Sequence, residues 1–82
     1  MTVYVPSRVV AIIRDVAAEH RIAPAVILSE DRRRVICRAR WEAIARARDH
    51  TPKPSYPQLG RWFRRDHTTI MHAIRRHGET ET

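Results

Sequence analysis

The sequence predicts an all-α domain. No stretch alternates apolar and polar residues with the two-residue period of a half-buried strand. Apolar residues instead recur at steps of three and four, and the segment from about Arg33 to Arg48 is rich in alanine, the strongest helix former. The 82 residues suffice for one small domain, expected over 7–78, with short flexible ends at 1–6 and 79–82.

Residues 1–6 read as an extended lead. Ser7, behind Pro6, stands as the N-cap of a first helix whose apolar face is Val9, Val10, Ile13, Val16 and Ala17, ending near His20 or Arg21. Pro24 suits the first turn of a short second helix, in which Val26, Ile27 and Leu28 pack inward. Ser29 to Asp31 breaks the pattern. A third helix follows from about Arg33 to Arg48, with Ile36, Ala39, Ala43 and Ala47 in one stripe and Cys37, Trp41 and Ile44 in a second. The segment "DHTPKP", 49–54, has two prolines and no periodicity, and is a loop. Ser55 opens a fourth helix: Ser55 and Gln58 have capping-box spacing, Pro57 is tolerated in a first turn, and Leu59, Trp62 and Phe63 form the buried face. Asp66 is the natural N-cap of a fifth helix, which Gly78 is expected to close.

Charge narrows the function. Lys plus Arg number 16 against 9 acids, a formal net charge of +7, and Lys53 is the sole lysine. Such a balance implies an acidic partner, most often nucleic acid, and arginine supplies forked, planar donors for it. A GC-rich genome would give the same bias, so it is weak support. Cys37 is the only cysteine, which excludes an intrachain disulfide and a four-thiolate metal site; it reads as an inert, partly buried thiol. No apolar run approaches the roughly 18 residues of a membrane span, and "MTVYVPSRVV" is not a signal peptide. A cytoplasmic, nucleoid-associated protein is expected.

The stretch "RDHTTIMHAIRR", 65–76, carries the sharpest signal. At about 100° per residue, Ile70, Ala73, Ile74 and His77 share one face of the fifth helix. Thr68, His72 and Arg75 point nearly opposite, flanked by Thr69 and Arg76. Hydroxyls, an imidazole and guanidinium groups at successive turns suit a helix in a major groove: threonine methyls meet thymine methyls, and His or Arg reaches purine acceptors. An ordinary solvated amphipathic helix is commoner in general. Two features argue against it here. The fourth and fifth helices have helix-turn-helix spacing, in which the second helix reads. Five arginines (Arg61, Arg64, Arg65, Arg75, Arg76) also crowd 61–76 against one acid, where a merely solvated face mixes its signs. Arg64 and Arg75 are placed for phosphate.

A second basic cluster, "EDRRRVICRAR" at 30–40, supports this reading. Cations at a helix start oppose the helix dipole, a cost that Glu30 and Asp31 partly relieve. Arg32 and Arg33 lie in a loop and can reach a narrow A·T-rich minor groove; Arg38 and Arg40 on the following helix can hold phosphates.

"GRWFRRDHTTIMHAIRR" resembles the signature of the C-terminal DNA-binding domain of the bacterial replication initiator DnaA, and "LSEDRRRVICRAR" resembles the basic loop of that domain. The resemblance spans about Ser7 to His77. It implies a compact, Trp-repressor-like domain of five to six helices that binds duplex DNA at short A·T-rich boxes through a helix-turn-helix. Arg65, Asp66, His67, Thr68, Thr69 and His72 then correspond to the major-groove readers, and Arg32 to the minor-groove arginine. Arg34, Arg38, Arg40 and Arg76 correspond to backbone-contacting or neighbouring basic positions, and Tyr56, Pro57 and Gln58 to a phosphate-touching segment. The chain departs from the family in two places. The family commonly has two glycines between its Phe and the Arg-Asp pair, whereas here Phe63 is followed by Arg64, Arg65 and Asp66; this bears on the angle between the two helices. Glu30 and Asp31 stand where the family is often basic. No glycine-rich phosphate loop occurs in the chain, so ATP hydrolysis is not expected of it.

Rival readings are weaker. Adjacent Asp66 and His67 make a poor proton relay, and no Ser or Cys has an evident base, so no catalytic residue is expected. His67, His72 and His77 are spaced by five, which turns about 140° per step, so no metal site is expected either. No cofactor, membrane or small-molecule substrate is implied. A protein-interaction adaptor using Trp41, Trp62 and Phe63 is the main alternative, followed by non-specific nucleic-acid binding. Single strands call for exposed aromatics on which bases stack. The sequence leaves the oligomeric state open.

Overall fold

A computed structural model describes residues 5–81; of Thr80 and Glu81 only the backbone is described. Five helices follow in order: α1 (Ser7–Glu19), α2 (Pro24–Ile27), α3 (Arg34–Arg48), α4 (Tyr56–Phe63) and α5 (His67–Glu81). No strand occurs among the described residues. The first four positions of the expected N-terminal lead, and Thr82 at the other end, lie outside them.

The helices form where the apolar periodicity places them, and their termini show why. The Pro6 carbonyl, not the Ser7 side chain, starts α1: it accepts from Val9 N and Val10 N at 2.9 and 3.1 Å, and Ser7 is the first helical residue without a side-chain cap bond. The expected Ser7 cap is thus displaced by one position: Pro6, extended at φ -57° and ψ 145°, stands at the N-cap. The other end of α1 closes with Arg21 in the left-handed region (φ 57°), so that Ile22 N reaches the Ala17 carbonyl at 2.9 Å and Arg21 N the Ala18 carbonyl at 3.2 Å. That is a Schellman end made without glycine. The Ser55–Gln58 capping box is complete: Gln58 N donates to Ser55 Oγ at 3.2 Å and Ser55 N to Gln58 Oε1 at 2.9 Å.

Gly78 does not close α5. The helix runs through it to Glu81, so the expected helix end at Gly78 is corrected. A glycine stops a helix only when it takes a left-handed φ, and the described positive-φ residues are Arg21 and Arg64.

The core is one cluster. Val9, Ile13, Val16 and Ala17 of α1, Ile27 of α2, Ala39, Ala43, Ile44 and Ala47 of α3, Leu59 and Phe63 of α4, and Ile70 and Ala73 of α5 are all buried within it. The alanines of α3 let its neighbours approach closely, and α3 is packed against α1, α2, α4 and α5. Burying Phe63 completely contributes roughly 2 kcal/mol by itself. Trp41, Trp62 and Tyr56 pack against this cluster half-buried.

Candidate nucleic-acid interface

The turn between α4 and α5 sets the site. Arg64 takes a left-handed conformation (φ 59°, ψ 44°), and Arg65 N donates to the Gly60 carbonyl at 2.8 Å. The glycine-free turn therefore closes by putting an arginine where glycine is the comfortable residue, at a cost of about 1 kcal/mol. Gly60 makes the closure possible. A Cβ there would press into the Arg65 carbonyl oxygen, which belongs to backbone and cannot swing aside.

Asp66 then starts α5. Its Oδ1 accepts from Thr68 N at 2.8 Å and Thr69 N at 3.1 Å, and these backbone donors, Thr69 first, hold its carboxyl below the usual carboxylate range. Capping thus occupies one oxygen of a residue expected to read bases. From here Ile70 and Ala73 point into the core and Ile74 lies half-buried, while His67, Thr68, Thr69, His72 and Arg75 are exposed along the other side. Arg75 Nη2 lies 3.2 Å from His72 Nδ1. An arginine can only donate, so the neutral imidazole in this contact carries its proton on Nε2. Met71, 48% exposed, joins this face; sequence reasoning did not assign it.

The α2–α3 loop stands beside α5. Glu30, Arg32, Cys37, Arg64, Arg65, Thr69 and His72 line one groove of about 680 Å³, with Trp41 and Ile44 also on its wall. The structure thus brings Arg32 and the reading face of α5 to a common groove. Arg33 is held differently: its Nε and Nη2 donate to Asp31 at 2.7–3.1 Å, and this contact lowers the pKa of Asp31 and raises that of Arg33. Arg32 is exposed and makes no ion pair with a described residue.

Two expected contact residues turn inward. Arg40, expected at phosphate, is 6% exposed, and its donors go to backbone carbonyls of Val26, Ile27, Ser29 and Asp31. In this structure its fork is spent on these carbonyls, although the residue also lines the groove described above. Arg65, expected at base edges, folds back onto the Ser29 and Arg64 carbonyls, and burial lowers its pKa from the ordinary arginine value. Arg34, Arg38 and Arg64 are exposed. Arg76 pairs with Glu79 at 3.6 Å and lies over the Trp41 ring. Of the expected phosphate segment, Tyr56 sits half-buried under Arg48, and Gln58 is exposed with its amide nitrogen outward from the capping box. Gly60 and the Ser29 carbonyl were missed by sequence reasoning. A glycine in helical register and a main-chain oxygen give no local signal of what will approach them.

A short helix, a tight turn and a second helix with its polar side outward define a helix-turn-helix domain of the DNA-binding class. Residues 9–76 match the family described as bacterial DnaA protein helix-turn-helix, and the chain belongs to that family. It is 42% identical over 63 residues to the chromosomal replication initiator protein DnaA of Sphingopyxis alaskensis, covering 76% of this chain. Over 70 residues, 84% of the chain, it is 40% identical to the proteins of that name from Agrobacterium fabrum and Brucella abortus. In each case it spans 14% of the relative's length. No solved structure matches the chain significantly.

Proposed function

We propose that this protein is a sequence-selective binder of double-stranded DNA. α5 enters the major groove with Thr68, Thr69, His72 and the neighbouring His67 toward base edges, while Arg32 probes the adjacent minor groove. Arg34, Arg38, Arg64 and Arg75, with Gln58, hold phosphates. The observation that carries the reading is the shared groove: one wall offers Thr69 and His72, the other Arg32, with the exposed Arg64 also lining it. His72, donating from Nε2, suits the acceptors of a purine edge. The action is binding, and no residue is assigned a chemical step.

Phe63 is fully buried and Trp41 and Trp62 pack half-buried against the core, which supports DNA binding over the adaptor alternative. The relatives' name supports a setting in replication initiation, where a domain of this kind would occupy the initiator's boxes. A regulator with promoter sites of its own is the other role. Selection from random duplex DNA followed by sequencing tests the reading and separates the roles. Enrichment of short, A·T-rich boxes is expected, with initiator-like boxes marking the first role and unrelated sites the second. Equal affinity for duplex, single strand and RNA, with no enriched site, would overturn it.

A further inference from the structure

The loop that carries Arg32 belongs to no helix, yet it is firmly held. Ser29 Oγ donates to the Val26 carbonyl at 2.6 Å and accepts from Asp31 N at 3.2 Å, and Arg33 N donates to Asp31 Oδ1 at 2.9 Å. Two guanidinium groups then grip its main chain. Arg40, from α3, sends Nε to the Ile27 carbonyl at 2.7 Å and Nη2 to the Ser29 and Asp31 carbonyls at 2.8 and 3.0 Å. Arg65, from the turn before α5, donates Nη2 to the same Ser29 carbonyl. A single main-chain oxygen thus joins α3, the loop and the helix-turn-helix.

Stability alone is a poor reason for this node. Arg40 is buried and has no carboxylate in ion-pair range among the described residues, and a second cation, Arg65, stands beside it. Well-packed apolar residues usually stabilise a buried position as well or better than a buried charge. What the fork supplies is geometry. Its donors diverge in fixed directions and reach several carbonyls at once, which a lysine ammonium on a flexible stem does not reproduce.

The segments joined are the two that carry the probes of the proposed readout. We propose that Arg40 is a positioning residue for DNA recognition: through the Ser29 carbonyl, and with Arg65, it fixes Arg32 relative to α5, so that the minor-groove and major-groove probes engage one box as a unit. This rests on the duplex-DNA reading above. Its consequence is coupling. Groups held through one node contribute non-additively, and a probe held in its bound position loses less freedom on binding.

The experiment measures the binding of wild type, Arg40→Lys, Arg32→Ala and the double variant to the selected box and to single-base-pair variants of it, with thermal melting recorded for each protein. In the wild type, Arg32→Ala is expected to weaken binding about tenfold and to erase discrimination at the minor-groove positions. In the Arg40→Lys background the same change is expected to cost no more than about twofold, because Arg32 is no longer held in place. Discrimination at the positions read by α5 should stay within about twofold of wild type in Arg40→Lys. Full additivity of the two changes, or a uniform loss at every position that tracks the melting temperature, would overturn the proposal and leave the DNA reading intact. If Arg32→Ala changes nothing in the wild type, the minor-groove reading falls and the coupling with it. Should Arg40→Lys fail to fold, Arg65→Lys, whose guanidinium is only partly buried, is combined with Arg32→Ala and judged by the same two outcomes.

Discussion

The arginines at the two ends of α3 are used in opposite ways. Toward its C-terminal end, Arg46 lies between Glu19 of α1, at 2.9 Å through two nitrogens, and Glu42 one turn back; Glu42 also meets His20 at 3.0 Å. Arg48 stacks on Tyr56 and donates to the Pro54 carbonyl. Toward its N-terminal end, Arg34 and Arg38 are exposed and make no ion pair with a described residue. One end of the helix uses cations to hold neighbouring elements; the other presents them to solvent beside α5. What sorts them is the placement of the acids, since Glu19 and Glu42 are spent at the holding end. The side that carries α5 thus presents Arg32, Arg34, Arg38, Arg64 and Arg75 to solvent.

The contrast is broken most severely by losing the reading end. Gly60→Ala drives a methyl group against the Arg65 carbonyl and is expected to cost about 3 kcal/mol in chemical denaturation and to abolish selective binding. His72→Ala spares the fold and is expected to cost about 1–3 kcal/mol at the selected site, with little change on random duplex, by fluorescence anisotropy. Equal losses on both DNAs would mean that α5 does not read bases. A paired comparison sharpens the contrast further: Arg38→Ala should reduce the slope of log affinity against log salt by roughly 1 while leaving the denaturation midpoint in place. Arg46→Ala should do the reverse, lowering stability by less than about 1 kcal/mol and leaving the salt slope unchanged. The smallest effect concerns acid. Asp66 titrates below its ordinary 3.8 in the folded protein, so its contribution is complete above that value and is lost as pH falls through the depressed folded value. Asp66→Asn should remove that part of the acid-unfolding profile and leave neutral-pH stability nearly unchanged, since asparagine also caps.

What was legible in the sequence was local. The capping box at Ser55 and Gln58 and the Asp66 cap depend on residues three apart or closer, and both stand where their spacing puts them. The apolar faces of α1 and α5 follow from the helical period alone. Gly78 and Ser7 show the limit. Both residues permit a boundary without imposing one, and the chain places its boundaries elsewhere. Arg40 shows a deeper limit: in a basic run every guanidinium looks alike, and only the tertiary path of the α2–α3 loop decides which one is enclosed. Arg32 and Arg33, adjacent in the loop, are separated by one carboxylate, that of Asp31, which engages Arg33 alone.

The left-handed Arg64 makes its position answer to two masters. Judged by folding, glycine or asparagine would rank first there, because they relieve the backbone. Judged by grip on a phosphate chain, arginine or lysine would. Libraries built at this codon and sorted separately for solubility and for DNA retention should return different winners if Arg64 holds phosphate as proposed, and the same winner if it does not.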